Sequence, residues 1–62
     1  MTDKKLAEAY RRNAADEEST ATALRDKAEQ LEHAGDFRMA STYFTAAAKA
    51  EQRAQVWRGL LA

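Results

Sequence analysis

The 62-residue sequence predicts an all-α fold, an antiparallel hairpin of two long helices that dimerises into a four-helix bundle. Three observations predict it. Proline is absent and alanine is abundant, so most of the chain consists of good helix formers. Gly35 breaks the pattern near the middle, in the run Leu31-Glu32-His33-Ala34-Gly35-Asp36-Phe37, LEHAGDF. Alanines recur every seven residues on both sides of that break.

The elements follow in order, within a single domain over 1–62. Thr2 or Asp3 supplies a side-chain oxygen to cap the start of the first helix, which is expected over 3–34. Its weak point is Asp16 to Thr22, DEESTAT, where serine and threonine compete for backbone hydrogen bonds. One continuous helix is the reading adopted; the alternative is two helices joined there, with Ser19 or Thr20 as the new cap. Gly35 and Asp36 form the turn, because a left-handed glycine closes one helix and an aspartate caps the next. The second helix is expected over 37–58, with Gly59 as a stop and Leu60-Leu61-Ala62 as a short tail. So short a turn makes the two helices antiparallel neighbours.

Each helix carries a seven-residue repeat with small residues on one line and larger ones on another. In the first, Ala7, Ala14, Ala21 and Ala28 form the small line, and Tyr10, Glu17, Leu24 and Leu31 follow three residues after. In the second, Ala40, Ala47, Ala54 and Leu61 are followed at the same offset by Tyr43, Ala50 and Trp57. Small residues let helix axes approach closely, and larger ones beside them fill the remaining space. Phe37, Met39, Phe44, Ala46 and Leu60 add apolar surface beyond that stripe, more than one antiparallel helix covers. A homodimer absorbs it, with Ala21, Leu24, Ala28, Leu31, Phe37, Ala40, Tyr43, Phe44, Ala47, Ala54 and Trp57 as packing residues. A groove for another protein is the sharper alternative, and the two do not exclude one another.

Composition narrows the function. A chain this short buries little surface and often needs a disulfide, a metal or a partner chain to be stable. Cysteine is absent and His33 is the one histidine, which leaves association as the expected staple; no cofactor or metal is expected. Ten basic residues balance ten acidic ones. Residues 1–33 hold six basic and eight acidic groups, and residues 36–62 hold four and two. Neither half has the positive field that phosphate binding needs, so nucleic-acid binding is not expected of the single chain. Pooling Lys4, Lys5, Arg11 and Arg12 across a dimer is the route by which it would arise. The stretch MTDKKLAEAYRR has no apolar run of leader length, and no segment is suited to span a membrane. Absent cysteine fits a reducing compartment, and the expected location is the cytoplasm.

Individual residues carry competing readings. Glu17 on the larger-residue line either sets register at an interface or is exposed because the first helix outruns the second; the second reading is the one adopted. By length, about 31 residues span about 46 Å against about 33 Å for 22, which leaves Leu6 and Tyr10 without an intrachain partner and open to another subunit or a target. His33 in the last helical turn suits the free carbonyls and the helix dipole, while Asp36 and Ser41 near it are explained by capping rather than by catalysis. Arg53, Trp57 and Arg58 combine residue types enriched in binding hot spots with positive charge suited to a helix C-terminus. With no phosphate loop, cleft acid pair or metal-ligand cluster in the sequence, an enzyme is not expected.

Two resemblances arise around the turn. Leu24, Ala28, Leu31, Gly35, Asp36, Phe37, Ala40, Phe44 and Ala47 resemble the small/large pattern of one tetratricopeptide hairpin, a unit that binds peptides when stacked in arrays. Ala28, Leu31, Glu32, Gly35, Asp36, Phe37, Ala40, Ala47 and Trp57 are similar to the AraC negative regulator family of short bacterial and phage proteins, over about 24–58. The sequence departs from that family in lacking a cysteine near its end and in having Phe44 where a tryptophan is expected. The second resemblance implies a small dimeric regulator that binds a transcription factor rather than DNA. The expected function is therefore a bacterial or phage protein–protein interaction module, regulatory or accessory, in which Leu6, Tyr10, Arg53, Trp57 and Arg58 meet the target. A homodimer with a purely structural or assembly role is the alternative.

Overall fold

A computed structural model describes residues 3–61. Thr2 as a cap, and Ala62 in the tail, lie outside the described residues. Helix α1 spans Lys4–His33 and helix α2 spans Phe37–Gly59, and the two pack side by side as a hairpin 49 Å long and 13 Å by 10 Å across. No helix among the described residues is long and apolar enough to cross a membrane.

Asp3 caps α1, accepting a hydrogen bond from the Lys5 amide at 3.4 Å. Helix α1 then runs without a break through Asp16–Thr22. The low propensity of that run is outweighed by packing. Ala21 is buried on the seam, Ser19, Thr20 and Thr22 face solvent, and Glu17 and Glu18 each reach an arginine of α2. Tertiary contacts of this kind supply most of a helix's stability in a folded chain.

The turn is a Schellman motif. The Gly35 amide donates to the Glu32 carbonyl at 3.0 Å and the Asp36 amide donates to the Leu31 carbonyl at 2.8 Å. The motif needs a left-handed residue, and Gly35 supplies it with φ at +84°. Asp36 then starts α2, its carboxylate accepting from the Met39 amide at 3.2 Å. One residue thus satisfies a free carbonyl of α1 and a free amide of α2. At the far end the helix stops at Gly59, one residue past the expected 58. Leu60 closes the helix in a right-handed conformation, so a glycine's special freedom is not used there.

The core consists of alanines. Ala14, Ala21, Ala28, Ala40, Ala47, Ala50 and Ala54 are each at most 2% exposed, and among the described residues no large side chain is fully buried. Tyr10 and Trp57 fix the register, with ring centroids 5.7 Å apart and planes tilted by 32°. Both helices rise about 1.5 Å per residue, so stepping from that ring pair toward the turn brings Ala14 level with Ala54, Ala21 with Ala47 and Ala28 with Ala40. Between these all-alanine levels lie Glu17 with Ala50 and Leu24 with Tyr43. The ring pair corrects one expectation. Helix α2 reaches far enough to cover Tyr10, which is half-buried against Trp57, and only the first turns of α1, with Leu6 exposed, run past it.

Candidate interaction face

The two lines of the repeat end up in different environments. On the alanine side the backbones meet closely, and a flanking column on each helix shields the seam. Those columns are Glu18 and Arg25 on α1, and Glu51 and Arg58 on α2, each pair seven residues apart. Arg25 pairs with Glu51, and Arg58 pairs with Glu18. Both helices read acid then base along the chain, so only the antiparallel arrangement brings opposite charges together; a parallel one sets acid against acid and base against base. The open groove on this side is lined by Glu18, Ala21, Thr22, Glu51, Ala54 and Arg58 among others. It is walled by charge and methyl groups rather than by an apolar pocket.

The opposite side carries the larger residues. Tyr10, Leu24, Leu31, Tyr43 and Trp57 are half-buried there. By helical spacing they share that face with Leu6, Met39 and Leu60, which are 43–46% exposed. Near its middle the Arg53 guanidinium Nε donates to Glu17 Oε2 at 3.0 Å. Glu17 therefore does not lie beyond the end of the second helix, as expected from length. It is an interhelix partner, its side chain only 25% exposed, and it sits level with the fully buried Ala50. The face thus combines the larger apolar residues with Asn13, Thr20 and Lys27 in the column of Leu6, and holds the Glu17–Arg53 pair among them.

The remaining sequence candidates fall as follows. Ala21, Ala28, Ala40, Ala47 and Ala54 close the hairpin itself. Phe44 is half-buried, whereas Phe37, expected to pack, is 67% exposed in the same column at the first residue of α2 beside the turn. Arg53 and Arg58, expected to meet a target, are each engaged by a glutamate of α1. His33 is exposed. Lys4, Lys5, Arg11 and Arg12 are exposed along the outer surface of α1, away from the larger-residue face. Among the described residues no group of three or more acidic, histidine or cysteine side chains is placed to hold a metal ion. The sequence reading misses the three interhelix ion pairs, although the mirrored charges of Glu18, Arg25, Glu51 and Arg58 were available as the signal. It also misses Val56, which is 64% exposed; as one valine on the outer surface of α2, it had no pattern to reveal it.

No family model, curated protein or solved structure matches the chain.

Proposed function

We propose that the protein is a small protein–protein interaction module that works as a homodimeric four-helix bundle. One observation carries this reading: the hairpin hides alanines and leaves its larger apolar side chains partly in water. Burying an alanine methyl is worth about 0.8 kcal/mol, so the seam contributes about as much as two or three buried leucines would. A further chain that covers the larger-residue face adds the burial that the hairpin lacks. After self-association the exposed Phe37 and Val56 remain on the outside of the bundle, where they are available to another protein. The module would act by occlusion, its helices covering a helix of the target. The more specific role, a bacterial or phage regulator acting on a transcription regulator, rests on the resemblance of residues 24–58 alone.

Sedimentation equilibrium over a wide concentration range, with helix content followed by circular dichroism on the same samples, tests the proposal. The expected result is a dimer whose helicity falls as it dissociates on dilution. A stably helical monomer at all concentrations contradicts the four-helix bundle and leaves the face open for a different protein.

A further inference from the structure

We infer that two copies meet on the larger-residue face about a two-fold axis beside the Glu17–Arg53 pair, and that this pair selects a second copy as the occupant. The inference rests on the dimer reading above and adds to it the face, the centre and the recognition element.

Three observations lead to it. The first is charge. Glu17 and Arg53 are joined at 3.0 Å among the larger apolar residues of the face. A purely apolar partner would strip water from both and return nothing, which is costly for an ion pair. A partner of one net sign would be attracted by one group and repelled by the other. A second copy related by a two-fold axis brings its own Arg53 to Glu17 and its own Glu17 to Arg53, so all four charges are satisfied. The second is room. Ala46 stands two turns from Arg53 in the same column of α2 and is only half-buried, and so small a residue leaves space for a side chain of a second copy where a larger one would not. The third is area. By helical rise the pair lies about 20 Å from the start of α1, so an axis beside it overlaps about 40 Å of the 13 Å wide face, roughly 500 Å² per copy and about 1,000 Å² for the two, the lower bound for a specific protein–protein interface. On the same measure the pair lies about 10 Å from the Tyr10–Trp57 rings and about 27 Å from the turn, so the overlap takes in the rings and leaves the last turn before Gly35 open.

Charge reversal in trans tests this. Glu17→Arg leaves two bases on the face, and Arg53→Glu leaves two acids. Each variant alone is expected to self-associate at least about tenfold more weakly than the unaltered chain. Mixed in equal amounts they are expected to form a heterodimer, and the double variant Glu17→Arg/Arg53→Glu is expected to dimerise again. If the unaltered chain dimerises but the mixture stays monomeric, the pair acts only within each chain and the assigned face is wrong, while the dimer reading stands. If the unaltered chain is monomeric, both fail. Spin labels on Thr20→Cys, one turn from Glu17, give a second readout that does not depend on the reversals folding. In the dimer they are expected within about 25 Å of each other, roughly two helix diameters. A longer separation in a dimeric sample overturns the inference.

Discussion

The two sides of the hairpin are built from the same seven-residue repeat and reach opposite states. On one side Ala14, Ala21, Ala28, Ala40, Ala47 and Ala54 are buried and ion pairs flank the seam. On the other, Tyr10, Leu24, Leu31, Tyr43 and Trp57 are half-covered although each is more apolar in bulk than an alanine. The contrast shows that size, not hydrophobicity, decides what two helices bury between them. Methyl groups let the backbones close; larger side chains are displaced to the flank, where two helices alone leave them half-wet. The alanine side holds the hairpin together and the larger-residue side is left half-exposed.

Substitutions separate the two roles. The largest effect is expected from Ala47→Leu, which forces three extra carbons into the closed seam. The hairpin should lose about 1–3 kcal/mol, read as a fall in the thermal midpoint at a fixed low concentration. Gly35→Ala should cost about 1–2 kcal/mol, because φ is +84°. No neighbouring atom lies within 4 Å of the added Cβ, so the loss would come from the backbone and not from a clash. Leu24→Ala, on the larger-residue face, should cost the dilute hairpin about 1 kcal/mol while weakening self-association more, a split visible by comparing melting at low and high concentration. Arg58→Ala removes one half-exposed ion pair and should change stability by about 0.2–1 kcal/mol at most, with the loss shrinking in high salt. A reversed order, with Leu24→Ala more damaging to the dilute hairpin than Ala47→Leu, would contradict the division of labour.

Much of this architecture is legible in the sequence because it depends on local rules. Gly35 and Asp36 announce the turn, and the spacing of alanines announces the seam. What the sequence reading misplaced depends on rotation and register. Helix lengths correctly indicate that α1 is the longer, but they do not say which residue of α1 the end of α2 meets; the Tyr10–Trp57 contact is set by how each helix is turned about its own axis. The same register turns Glu17 from an overhanging carboxylate into the partner of Arg53. Continuity of α1 through Asp16–Thr22, by contrast, is what the sequence reading expects, and the interhelix contacts of Glu17 and Glu18 support it where propensity is weak. Phe37 shows the converse: a large aromatic at the start of a helix reads as core, yet its place beside the turn leaves it outside.

The central claim is that association covers the larger-residue face and leaves the seam as it is. Trp57 is the only tryptophan and lies on that face, so its fluorescence reports the claim directly. Measured from dilute to concentrated protein, its emission is expected to shift to shorter wavelength with the same midpoint as dimer formation by sedimentation. An emission maximum that stays constant while the chain passes from monomer to dimer would place the contact elsewhere and contradict the account.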